Sequence, residues 1–291
     1  MNSNMKKRPV FLRKMTDKMV KVVSIMAAFV GIFLLFWILF EVFMRGFSAF
    51  SPKFFMDISL DGENGGIANA IVGTVVITFT AVILGVPAGL LGGIFLSEYG
   101  RSSKIGNIIR FSSNVMMGMP SIIIGLFIYS IIVYNMGTFS GFSGAVALAI
   151  IMLPVVLRTT EDMLSLVPNS LREAALALGT PRWKVTLNIL FRAAKTGLIT
   201  GVLLATARVS GETAPLLFTA LNSYYWPAEP CWQFWQFFSS PTANLTVTIN
   251  DYAMSPYPGL NSIAWGASLL ITFGVLALNI SARIFFREEK K

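Results

Sequence analysis

Six stretches of this chain are long and apolar, and a polypeptide in water cannot hide six of them. Val22–Phe40 runs 19 residues without a charge, Ile67–Leu96 runs 30, Phe111–Tyr134 runs 24, Gly141–Leu157 runs 17 and Leu260–Ala282 runs 23. A sixth, Thr196–Leu221, is interrupted only by Arg208 and Glu212. A helix needs roughly 20 apolar residues to cross a bilayer, so each run predicts one spanning helix. Composition agrees, with 55% hydrophobic residues, 13% charged ones and a mean hydropathy of +0.69, against about 25% charged in a soluble domain. Spanning segments in lipid must pair their own backbone groups. The expected fold class is therefore an all-α membrane protein with six transmembrane helices. The first run exceeds a signal-peptide core, and Glu41-Val-Phe-Met-Arg45 follows it with no small-residue cleavage site, so it is read as a span.

Charge placement orients these spans. Twenty of the 23 Lys and Arg residues fall in 1–21, 97–110, 158–195 and 283–291. The alternate loops, 41–66, 135–142 and 222–259, hold only Arg45 and Lys53. Basic residues concentrate on the cytoplasmic side of a membrane protein, which predicts a multi-pass protein of the cell membrane with both termini cytoplasmic. The same distribution explains the net charge of +9 without a nucleic-acid partner. The predicted organisation is a basic N-terminus over 1–21, a first transmembrane helix over 22–44 and a five-helix core over 67–286. That core includes a cytoplasmic loop, 161–192, and an outer loop, 222–259, whose many aromatics suit a membrane interface. A single cysteine, Cys231, excludes an internal disulfide, and the absence of His removes the commonest metal ligand and general base.

The loop 161–192 contains a small amphipathic element. Ser170-Leu-Arg-Glu173 has the form of a capping box. Leu171, Ala174, Ala175 and Leu178 recur at helical spacing, and Gly179 stands where a helix-ending glycine belongs. Thr180-Pro181 then reads as cap and first position of a second helix. A two-turn helix is unstable alone, so its apolar face must bury on the lipid surface, on this chain or on another protein. The alanines suit close approach of a partner backbone.

Arg208 and Glu212 lie inside the fifth run, four residues apart. Charges at that depth are costly and face a bundle interior or water. They are either a mutual ion pair or part of an anion path. Arg offers a planar fork of donors for an oxyanion edge, and Glu212 competes for it, limiting affinity as a transport site requires. Arg158, after Pro154 at the inner end of the fourth run, is either a second cationic contact near the exit or an interfacial snorkelling side chain. No G-x-x-x-x-G-K-[ST] occurs; Lys195-Thr196 lacks the glycines.

Glu173-Ala174-Ala175, Gly179 and Ile189 together resemble the EAA loop of ABC importer permeases, though Phe191-Arg192 stand where the family often has Leu-Pro. Gly65–Ala70, Leu96-Ser-Glu-Tyr-Gly100, Arg158-Thr-Thr-Glu161 and Gly211–Ala220 resemble phosphate-specific permeases of the PstA type. That resemblance implies a type I ABC importer permease with a short cytoplasmic coupling helix and no enzymatic activity of its own. It implies a PstC-type sister permease, PstB-type ATPase subunits that bind ATP and Mg, and an extracytoplasmic phosphate-binding protein. This chain would bind no cofactor. Glu173, Ala174, Ala175 and Gly179 would dock on the ATPase, and Arg208, Glu212 and Arg158 would border the phosphate path. The competing readings are a permease for sulfate, molybdate or another oxyanion, an ATP-independent anion channel or secondary transporter, and a membrane scaffold.

Overall fold

A computed structural model describes residues 10–58, 65–226 and 235–285. The described residues form only helices and the turns between them. The chain opens with α1 (Val10–Phe47) and the short α2 (Pro52–Met56), capped by Ser51. Next come α3 (Ala68–Ile94), extended by one π turn over Phe95–Tyr99, then α4 (Lys104–Gly118) and α5 (Ser121–Ile128). A further π turn over Tyr129–Val133 leads into α6 (Tyr134–Met136), followed by α7 (Gly141–Ser165). The second half holds α8 (Asn169–Ala177), α9 (Arg182–Val185), α10 (Phe191–Ser210) and α11 (Ala214–Leu217). A π turn over Thr186–Leu190 joins α9 to α10 in one continuous rod. α12 (Gln236–Ser239), α13 (Leu245–Ala253) and α14 (Pro258–Phe285) follow as the last described helices.

Among the described residues five helices are long and apolar enough to cross a membrane, Lys14–Phe47, Ala68–Tyr99, Gly141–Ser165, Arg182–Ser210 and Pro258–Ser281. The expected third span, Phe111–Tyr134, is not one helix. It is the pair Lys104–Gly118 and Ser121–Met136, bent by 103°. Pro120 causes the break. It has no N–H to donate, and it forces Met119 into extended backbone at φ −77°, ψ 139°. The expected fifth span, Thr196–Leu221, also stops short. α10 ends at Ser210, the chain turns at Gly211, and α11 restarts with Pro215 in its first turn.

α7 stands at the centre and is the most buried of the spans. It packs along α3 through a seam of small residues. Ala81, Gly85, Gly89 and Gly93 recur every fourth position, and all are buried; Ile77 and Gly73 continue the row, Gly73 against the Ala243 carbonyl rather than α7. In lipid, where burial of apolar surface between helices gains little, small residues let backbones approach and gain dispersion contacts instead. A Cβ placed on Gly89 would stand 2.7 Å from Val156 Cβ, so the seam admits no larger residue. α1 is almost entirely exposed and meets α14 only near its end, through Phe43 on Phe273 and the Arg45 guanidinium over the Trp265 ring at 5.1 Å.

The segment 235–253 differs from the expected interfacial loop. Trp235 is exposed, but Phe237, Thr242, Asn244, Val247 and Thr248 are buried. Asn244 caps α13 by accepting from the Val247 N–H, and the Leu245 N–H donates to Thr74 Oγ1 of α3 at 2.8 Å. This stretch plugs the end of the bundle. Trp232 and Phe234 lie outside the described residues.

Gly89→Val should destabilise the folded chain by about 1–3 kcal/mol through overpacking. Gly31→Val, at a position with nothing within 4 Å, should leave stability almost unchanged. Thermal unfolding of the two variants in one detergent measures the difference.

Candidate functional site

Two interrupted helices meet beside α7. One break is Met119-Pro120, between α4 and α5. The other is Gly211–Thr213, between α10 and α11. Between them lies a cleft of about 260 Å³, lined by Met116, Met117, Met119, Ile151, Arg208 and Glu212 among others. Its depth follows from helix register. Gly197 of α10 faces Met163 of α7 and Gly201 faces Thr159, so α10 runs antiparallel to α7 and Arg208 reaches the level of Ile151. That residue is ten positions into α7, roughly 15 Å along it at 1.5 Å per residue, or about half of a 30 Å hydrocarbon layer. Arg208 is thus level with the middle of α7, but it stands in the last turn of α10 rather than in the middle of a continuous fifth helix.

The local sequence explains the arrangement. A cation in the last turn of α10 faces the negative end of the helix dipole. The Glu212 N–H donates to Val209 O at 3.2 Å, closing the turn, and the Thr246 hydroxyl from α13 donates to Glu212 O at 2.9 Å. The two side chains stand 4.0 Å apart, Arg208 54% exposed and Glu212 19%. So long and open a pair is worth about 0.2–1 kcal/mol at most. A charged residue at the bilayer centre costs about 2.5–3.5 kcal/mol on insertion scales. Mutual neutralisation does not offset that cost, so the open side of Arg208 faces water, a polar solute or another chain. Irregular backbone at this depth has the same requirement.

Arg158 is not brought into this cleft. Ile151 and Val155 line it, and Arg158 lies one turn further toward the basic end of α7. It pairs there with Glu161 at 3.1 Å and Asp162 at 3.4 Å. Glu161 is also held by Arg110 of α4 at 2.7 Å. Arg110–Glu161 and Arg172–Glu98 join Arg158's pairs at the basic end, and the sequence did not single out these four residues as a group. The only local signal was that Glu98 and Glu161 stand in the stretches Leu96–Gly100 and Arg158–Glu161.

The amphipathic element lies at the same end. α8 begins at Asn169 with Pro168 at the cap position, so Ser170 is inside the helix and no capping box forms. The Leu171 N–H bonds to Pro168 O instead, and Asn169 accepts from Arg172. Pro181, rather than Thr180, occupies the cap of α9, where the Lys184 and Val185 N–H groups donate to its carbonyl. Gly179 ends α8 with φ +76°, a conformation that costs a residue with a Cβ about 1–2 kcal/mol. Of the apolar face only Ala175 is buried. Leu171 and Leu178 are exposed, Leu178 by 86%, as are Glu173 and Ala174. The face is built, and none of the described residues covers it.

Residues 85–288 match the family described as binding-protein-dependent transport system inner membrane component. The chain is 47% identical over 280 residues to the phosphate transport system permease protein PstA of Pasteurella multocida (strain Pm70), covering 96% of this chain and 97% of that one. It is 46% identical over 281 residues to the protein of the same name from Haemophilus influenzae, covering 96% and 97%. Among solved structures, a chain of the MetNI methionine ABC transporter in an inward facing conformation superposes with a TM-score of 0.59 at 17% identity, covering 79% of this chain and 95% of that one. The shared fold is that of type I ABC importer permeases.

The cleft should be wet. A cysteine at position 121, in a chain with Cys231→Ser, should react with a membrane-impermeant, positively charged thiol reagent, and a cysteine at position 79, exposed on the apolar flank of α3, should not. Mass spectrometry of the labelled chain reads both.

Proposed function

Because this chain belongs to the binding-protein-dependent transport system inner membrane component family, we propose that it is the transmembrane permease subunit of an ATP-driven importer of inorganic phosphate. The observation that carries this reading is the near-full-length similarity to phosphate transport system permeases, which spans both the mid-depth cleft and the uncovered helix α8. The chain is a transport component rather than an enzyme, and ATP and Mg belong to a partner ATPase. In the proposed assembly a sister permease of the PstC type completes the path, two PstB-type ATPases supply the drive and an extracytoplasmic phosphate-binding protein delivers the cargo. Both termini are cytoplasmic in this reading, which puts α8 on the side where ATP is hydrolysed.

The mechanism is alternating access. ATP binding closes the ATPases, and α8, seated in a groove of one of them through Leu171, Ala174 and Leu178, transmits the movement. The two permeases then open toward the binding protein. Phosphate passes the cleft, where Arg208 presents its guanidinium to the oxyanion and Glu212 draws the same cation back, so that the anion is released rather than held. Arg158, already paired with two carboxylates, lies on the route from the cleft to the basic end. It contributes a shared cation there.

Uptake of radiolabelled phosphate at low external concentration, with sulfate as the parallel control, tests this in cells lacking the chain and cells given it back. Restoring the chain should restore phosphate uptake only. Arg208→Gln, which loses a charge-assisted contact of about 1.5–3 kcal/mol, should lower uptake by about ten- to a hundredfold. Arg208→Lys, which keeps the charge but not the fork, should fall between. Undiminished phosphate uptake without the chain, when no redundant transporter is present, contradicts the reading. Loss of sulfate uptake instead reassigns the cargo.

A further inference from the structure

The π turn that ends α3, Phe95–Tyr99, is gripped from two sides by arginines of different helices. From α8, Arg172 donates to Glu98 Oε1 through Nη2 at 3.0 Å and Nε at 3.3 Å. Its remaining donors go to Leu164 O and Val167 O, each at 2.6 Å, and to Asn169 Oδ1 at 3.1 Å. Both partners are largely buried, Arg172 at 12% and Glu98 at 15% exposure. From α4, Arg110 donates to Leu96 O at 3.2 Å and Gly100 O at 3.3 Å, while its Nε holds Glu161 of α7 at 2.7 Å. α4 then runs unbroken to Gly118, and its far end supplies Met116, Met117 and Met119 to the wall of the mid-depth cleft.

We propose that Arg172 and Glu98 form a latch by which α8 moves the end of α3 and, through Arg110, the α4 rod that borders the cleft. This rests on the importer reading, in which α8 is the element that the ATPase moves. A guanidinium fork locked on a carboxylate transmits rotation as well as push and pull, because its planar donors fix direction. An apolar contact would slide. A second cleft of about 230 Å³ beside the latch, lined by Ser97, Tyr99, Arg101 and Leu176, gives α8 room to shift. The Met119-Pro120 break is the hinge at the other end, since the flanking turn bonds, Met119 N–H to Met116 O and Ile123 N–H to Pro120 O, do not cross it. Arg172 and Glu98 are positioning residues that touch neither cargo nor nucleotide.

The test is the whole complex in proteoliposomes with the binding protein present, with ATP hydrolysis and phosphate uptake measured in the same vesicles. Co-purification of the subunits normalises for assembly. Glu98→Gln and Arg172→Gln should keep hydrolysis within about twofold while phosphate moved per ATP falls at least about fivefold, the lower end of common coupling strengths. The double variant should be no worse than Arg172→Gln alone, because Glu98→Gln breaks only the contact that Arg172→Gln has already removed, and Glu98→Asp should recover part of the loss. If Arg172→Gln fails to assemble, Glu98→Gln decides alone, since it leaves the donations to Leu164 and Val167 in place. A parallel fall of hydrolysis and uptake, an unchanged ratio, or additive losses in the double variant overturns the latch. Failure of the unmodified complex to take up phosphate with ATP overturns the importer reading instead.

Discussion

In hydrocarbon an unpaired backbone group has no water to turn to. A helix that stops halfway across must therefore stop inside protein or beside water. This chain stops twice at one depth, at Met119-Pro120 and at Gly211–Thr213. Both breaks face the same cleft, and the carbonyl of Glu212 is held by Thr246 from α13. The pairing turns two local defects into one polar site. It also gives α13 a partner in the bundle: Thr246 reaches the Glu212 carbonyl at the break, and Asn244 and Thr248 reach Leu221 O and Asn222 Oδ1 just beyond α11, while the Thr242 hydroxyl bonds within its own segment, to Phe237 O and Ser240 O.

Around that site the structure divides into a stiff part and a part that can shift. The α3–α7 seam is stiff, because small residues set every fourth position bring two backbones too close for any side chain to yield. The basic end is different. There α3, α4, α7 and α8 are tied by side-chain ion pairs with directional geometry, and a cleft lies alongside. A transport cycle needs this combination, since a motion started at the uncovered face of α8 must reach the cleft without dissolving the core.

Much of this was legible in the sequence. Uncharged runs located the spans, and the uneven spread of Lys and Arg predicted which loops share a side. Gly179 announced the left-handed turn that ends α8, because a glycine followed an apolar helical period. Other features were hidden for physical reasons. Arg208 and Glu212 have helical spacing, so the run read as continuous, although Gly211 and Pro215 carried the signal for the break. Pro120 was visible, but a proline alone does not distinguish a kink from a 103° turn. The aromatics of 222–259 suggested an interface, yet the burial of Thr242 and Thr248 depends on partners far along the chain. Arg172 lies 74 residues from Glu98, and Arg110 lies 51 from Glu161. No local period encodes such pairs.

The central claim is that the cleft between the two breaks opens to one face of the membrane and then to the other. The direct measurement is the side from which a cysteine at Met119, in a Cys231→Ser chain within the assembled complex, reacts with an impermeant maleimide in oriented vesicles. The account predicts labelling from the basic face without nucleotide and from the opposite face when the ATPases are trapped closed with vanadate. Labelling from the same face in both states would contradict it.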